Sequence, residues 1–188
     1  MGNLKWLIVG VLVLLLGYFI IESQQSGYTT QTDRVFPEKK DGVSKLVFEK
    51  NGETLTLTKQ DTTWSIAGND TLVIKKDRMT AFFDQTFGVE RETLMTQKAD
   101  NWPKYSVDDS SGAHVKVYDS SDALLTHAVF GQSTSDWSRN YVRVGDGPEV
   151  YLTNMSVIHQ INTLPTYWGE KPPAPKPVVM DSIGVGGE

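Results

Sequence analysis

The sequence predicts an α+β domain, antiparallel sheet with two helices packed on one side, preceded by one N-terminal transmembrane helix. Three observations carry this reading. Residues 45–58 alternate apolar and polar around Asn51-Gly52, the pattern of a half-buried hairpin. Two later segments space their apolar residues as helices do. The run from Trp6 to Ile21 contains no charge.

That run extends to Leu4 across Lys5, and about 18 residues rising ~1.5 Å each reach ~27 Å, close to the hydrocarbon thickness of a bilayer. Glu22-Ser23-Gln24-Gln25-Ser26-Gly27 follows, without a small-residue cleavage site, and the chain has no cysteine to acylate. Residues 1–21 are therefore expected to be an uncleaved signal anchor. Lys5 lies on the inner flank, and the next cations come only at Arg34, Lys39 and Lys40. The positive-inside rule then places the chain in a bacterial inner membrane as a single pass, with its bulk in the periplasm or outside the cell. Residues 22–42 read as a polar spacer, 43–170 as the extracytoplasmic domain and 171–188 as a flexible tail. The tail starts with the polyproline-like Lys171-Pro172-Pro173-Ala174-Pro175-Lys176-Pro177 and ends Gly-rich.

Within the domain the hairpin comes first. Asn-Gly favours a two-residue turn with both φ angles positive, which pairs Lys50 with Glu53, Phe48 with Leu55 and Leu46 with Leu57. The four apolar residues then share one face, and Glu49, Thr54, Thr56 and Thr58 the other. Asp61-Thr62-Thr63 turns the chain into a third strand, Trp64-Ser65-Ile66. A helix is expected from near Asp77, its N-cap, through Met79, Phe82, Phe83, Thr86 and Phe87, stopping at Gly88. Residues 89–107 read as a looser stretch. Strands return at Ala113–Tyr118 and Leu124–Phe130 about a turn at Asp119–Asp122, then at Asn140–Val144 and Glu149–Leu152 about Asp146-Gly147-Pro148. Val157, Ile158, Ile161 and Leu164 predict a last helix over 154–164, ended by Pro165.

No chemistry announces itself. Hydrolase, metalloprotease and phosphate-loop motifs are missing, so no catalytic, cofactor or metal site is expected. His114 and His127 fall in neighbouring strands without an evident third ligand, and His159 lies off the apolar face of the last helix. Asp108-Asp109, Asp119 and Asp122 sit in turns, where carboxylates bind turn amides. A net charge of −5 with scattered Lys and Arg leaves no basic stripe for nucleic acid. The candidate partner-binding residues are Trp137 and Arg139, in the polar loop Gly131–Arg139, and Trp102 and Tyr105, in a second aromatic loop. The competing expectation folds Trp137 back on the core and packs the second loop.

Taken in order, several short pieces resemble a family of domains of unknown function, numbered forty-three forty. They are Thr63-Trp64-Ser65-Ile66, the helix of Asp77 to Phe87, Tyr105-Ser106-Val107, Ala128-Val129-Phe130-Gly131, Tyr141-Val142-Arg143 and Val150-Tyr151. The resemblance covers roughly Val43 to Lys171, and the family has Gly where this chain has Ser106. Many members look longer, with a repeated unit, and this chain has room for one. The resemblance implies an N-terminal membrane anchor and genes beside ABC-type transporter components similar to those of gliding motility. It carries over no catalytic residue. The function expected is thus a non-enzymatic, membrane-anchored accessory or scaffold protein of a transporter or envelope complex, with ABC transporter subunits as partners. The alternative is an extracytoplasmic module binding glycan or peptide.

Overall fold

The computed structural model describes residues 34–173. The expected anchor, most of the spacer and most of the tail lie outside the described residues; within them no helix is long and apolar enough to cross a membrane. The chain divides between Arg34 and Val35, and every element below belongs to the second unit.

Asn51 and Gly52 take φ of 54° and 77°, and the turn sets the expected register between β1 (Lys45–Lys50) and β2 (Glu53–Gln60). Leu46, Phe48, Leu55 and Leu57 are all buried, as the alternation requires. A turn at Asp61, φ 53°, leads into β3 (Thr63–Ile66), and β4 (Val73–Ile74) follows. After the first helix come β5 (Arg91–Thr96), β6 (Ala113–Tyr118), β7 (Leu124–Gln132), β8 (Asn140–Val144) and β9 (Val150–Thr153). Eight strands form one sheet in the order β3-β2-β1-β6-β7-β8-β9-β5, antiparallel at every pairing. Two meanders thus meet at their first strands, β1 against β6. A short β10 (Gly169–Glu170) pairs separately with β4.

Helix α1 (Lys76–Gln85) lies on the apolar face and buries Met79 and Phe82. Two details of the expected helix change. Lys75, not Asp77, stands at the N-cap; Asp77 sits in the first turn, where its charge suits the helix dipole without a capping hydrogen bond. The helix gives way at Thr86 to a 3₁₀ turn, Thr86–Gly88, rather than running on to Gly88.

The helix expected over 154–164 does not form. Buried Asn140 accepts hydrogen bonds from the amides of Val157 (2.7 Å) and Ile158 (3.0 Å) through Oδ1, and only a 3₁₀ turn, Ile158–Gln160, follows. Val157 and Ile161 are buried all the same, so the apolar spacing reflects burial without helix. Pro165 opens a helix instead of ending one: α2 (Pro165–Trp168) starts with its ring at the first position, where a missing N–H costs nothing. Trp168, fully buried, stacks on Phe48 at 4.9 Å and meets Phe82 edge-on at 5.5 Å. Both helices therefore serve the same core, and the α+β class stands.

Two further corrections concern boundaries. Val35 and Phe36, assigned to the spacer, are buried, and Phe36 stacks on Phe87 at 5.0 Å. The stretch read as loose holds β5, an edge strand whose pairing to β9 shifts register twice.

Candidate functional site

The opposite face of the sheet divides in two. Over β7, β8 and β9 it carries a second apolar cluster, Tyr105, Val107, Val129, Tyr141 and Val150, with Met95, Trp102 and Leu152 against it. The segment 99–112 covers this cluster, and two backbone constraints seat it there. Ser106 adopts the left-handed conformation, φ 52° and ψ 39°, which glycine reaches without strain. Gly131 leaves room for the segment to approach: a β-carbon there would lie 2.8 Å from the Ser106 carbonyl oxygen and closer still to that of Tyr105.

Beside this cover the face opens into a cleft of about 390 Å³, lined by Glu49, Trp102, Asp109, His114, Lys116, His127, Arg143 and Asp146. The β1–β6 pairing sets Glu49 opposite His114, and the β6–β7 pairing sets Lys116 opposite His127. Lys116 Nζ donates to Glu49 Oε1 at 2.8 Å. Arg143, with a 3% exposed side chain, donates through Nε to the Val107 carbonyl (3.1 Å), through Nη1 to that of Gly145 (3.1 Å) and through Nη2 to Asp109 (2.7 Å). Its guanidinium also stacks on the Trp102 ring at 4.0 Å. Arg143 thus fastens the covering segment to β8.

His114 and His127 form the unusual pair. Nδ1 of His114 lies 3.0 Å from Nε2 of His127, and the ring centroids are 5.3 Å apart. A ring nitrogen sits about 1.15 Å from its centroid, so that centroid distance is close to the maximum and is reached only with the rings end to end. The two nitrogens face each other along one line, one carrying the N–H and the other the lone pair. This is the geometry of a hydrogen bond; a metal midway would stand about 1.5 Å from each nitrogen, too near for the ~2.0 Å of a metal–imidazole bond. Burial holds both imidazoles below the ordinary histidine range, and Glu49 opposes this only in part for His114. Among the described residues no group of three metal-ligating side chains gathers.

The four sequence candidates separate. Tyr105 is buried against Tyr141 at 4.8 Å, and Trp102 forms a wall of the cleft, its Nε1 donating to the Pro148 carbonyl at 3.2 Å. Trp137 does not fold back on the core: it is 76% exposed. Arg139 bridges Glu92 at 3.0 Å and Asp136 at 3.2 Å. His159 is exposed on the 3₁₀ turn. The sequence reading missed Arg143, Lys116 and Glu49 as a group; the alternation hinted at a shared polar face, but only the β1–β6 pairing unites them.

A larger groove of about 600 Å³ lies on the other face between α1 and β3, with Trp64, Met79 and Phe83 among its apolar lining. Lys40 at its rim is tied to Asp84 at 3.0 Å. Lys59, Lys76 and Thr80 also line it.

Fold and site together define a single sheet-built α+β module with one face packed by helices and the other partly covered and partly open. A family model described as Domain of unknown function (DUF4340) matches residues 64–175, and the chain belongs to that family. Comparisons with curated proteins and with solved structures returned no match.

Proposed function

We propose that this chain is a non-enzymatic, membrane-anchored accessory or scaffold protein of an ABC-type transporter or envelope complex, presenting its domain outside the bacterial inner membrane. One observation carries the reading within the described residues: Trp137 stands 76% exposed on a loop that is held from both sides. Ser133 Oγ accepts from the Asp136 amide at 3.1 Å, Asp136 accepts from the Ser138 amide at 2.9 Å, and Arg139 closes the base through Glu92. An indole kept in water on a pre-ordered loop loses little freedom on association and offers a large area to bury. The uncharged run 6–21 supports the anchor, and the lack of a catalytic motif supports a binding role.

The test is a photo-crosslinking amino acid placed at exposed Thr134, on the same loop as Trp137, in the native membrane, followed by mass spectrometry. The expected product joins this chain to a transporter subunit, and Trp137→Ala loses that association while its melting temperature stays within about 1 °C. Recovery of no membrane protein partner overturns the proposal. The cleft beside Trp102 favours the second reading, a glycan- or peptide-binding module; saturable binding that Trp102→Ala abolishes and Trp137→Ala leaves intact would select it.

A further inference from the structure

We propose that the His114–His127 pair is an acid-sensitive latch between β6 and β7, closed only while both imidazoles are neutral. Four ring nitrogens share the pair. When both rings are neutral they hold two protons, one of which lies between Nδ1 of His114 and Nε2 of His127. The second sits on one of the two outer nitrogens. His114 Nε2 is enclosed and has no hydrogen-bond partner, so a proton there would leave a buried N–H unsatisfied. The second proton therefore resides on His127, which is half-buried and lines the open cleft. A third proton, from acidification, has nowhere to go except His114 Nε2 while the two rings remain bonded.

Glu49 and Asp109 offset that cost only in part. The charged groups around the pair are Glu49 on β1, Lys116 on β6, Arg143 on β8, Asp109 on the covering segment and Asp146 after β8. Glu49 is already engaged by Lys116, and Asp109, 83% exposed, by Arg143. A protonated His114 must leave its pocket to find an acceptor. A smaller cavity of about 150 Å³ adjoins His114, lined also by Glu49, Glu53, Asp109 and Ser110, and offers oxygen atoms to a ring that swings out. The proton that breaks the pair thus removes the side-chain tie between β6 and β7 on this face.

The latch has a signature that a single buried histidine lacks. The closed pair holds no extra proton, whereas the open state charges both rings, so opening takes up as many as two protons. Below an open-state pKa of about 6.5 the opening constant then rises more than tenfold per pH unit, approaching about a hundredfold. The experiment follows imidazole ¹⁵N shifts of the full-length chain from about pH 8 to about pH 5, above the carboxylate range. Amide-exchange protection in β6 and β7 is read over the same interval.

The expected result has His114 protonated at Nδ1 in the neutral state. Both histidines titrate together below the ordinary histidine value of about 6.5, and protection is lost more steeply than tenfold per pH unit. His114→Phe leaves a shallow step of at most tenfold per pH unit, set by the burial that His127 keeps; should that variant not fold, His127→Gln reduces the slope to the same limit. Titration of the pair at the ordinary histidine value of about 6.5, or a steep acid step surviving in the folded variants, overturns the proposal.

Discussion

Replacing Gly131 with alanine puts a methyl group where the backbone of the covering segment passes. The added carbon would stand 2.8 Å from the Ser106 carbonyl oxygen and nearer still to that of Tyr105. Neither obstacle is a flexible side chain. Relief requires the segment to lift off β7, which opens the packing of Tyr105 on Tyr141 and of Val107 beneath it and strains the bond from Arg143 to the Val107 carbonyl. Overpacking against side chains costs about 1–3 kcal/mol, and rigid backbone belongs at the top of that range, so a loss of about 3 kcal/mol is expected. In a domain of this size that is a melting temperature lower by about 10 °C. Urea unfolding followed by far-UV circular dichroism measures it against Gly88→Ala, where nothing lies within 4 Å of the new carbon and φ is not positive. That control is expected to be neutral or to gain about 0.4–1 kcal/mol through the unfolded chain. A Gly131→Ala variant melting within about 2 °C of the parent would falsify the claim that close backbone approach fixes this segment.

Other outcomes follow from the same geometry. Ser106→Gly should stabilise by about 0.5 kcal/mol, since relief of the left-handed conformation outweighs glycine's entropy cost; a lower urea midpoint would contradict this. Arg143→Met strands two carbonyls and is expected to cost about 3 kcal/mol, whereas Asp109→Asn, at an exposed ion-pair partner, should cost under about 1 kcal/mol; equal losses would show that the ion pair and not the carbonyl bonds dominates. Stability should fall with acid in two steps. The histidine pair titrates lower in the folded state than in the unfolded chain, so its contribution is complete above about pH 6.5 and declines below it. Asp108, Asp119 and Asp136 are held below the ordinary carboxylate value of 3.8, chiefly by the hydroxyls of Ser110, Ser121 and Ser138, so their contribution is present above that value and declines only below it. A urea midpoint that stays flat from about pH 7 down to about pH 5 would contradict the histidine step.

What the sequence disclosed depended on how local the determinant was. The β1–β2 register was legible because Asn51-Gly52 and the alternation of Leu46, Phe48, Leu55 and Leu57 demand the same pairing independently. The segment 154–164 was misread because its amides are claimed by Asn140, a partner on another strand that no periodicity within the segment reveals. β5 escaped notice for a related reason: Arg91-Glu92-Thr93-Leu94-Met95-Thr96 lies at an edge, and its two register shifts break the alternation. At the candidate site, Trp137 and Trp102 could be picked out by residue type. The cleft could not, because Glu49 and His114 become neighbours only through β1 and β6.

That junction also decides the order in which the molecule can be built. Each meander closes through short connections, but the seam between them joins Lys45–Lys50 to Ala113–Tyr118, across an intervening helix and an edge strand. Until the later strand arrives, β1 shows an unpaired edge with Leu46 and Phe48 on its apolar face, the kind of edge that recruits other chains. The step that joins the two meanders therefore costs more loop-closure entropy than any of their tight hairpins, and it is expected to slow folding. While the chain emerges, the first meander must wait for residue 118, a window in which it depends on its own short hairpins to stay out of aggregates.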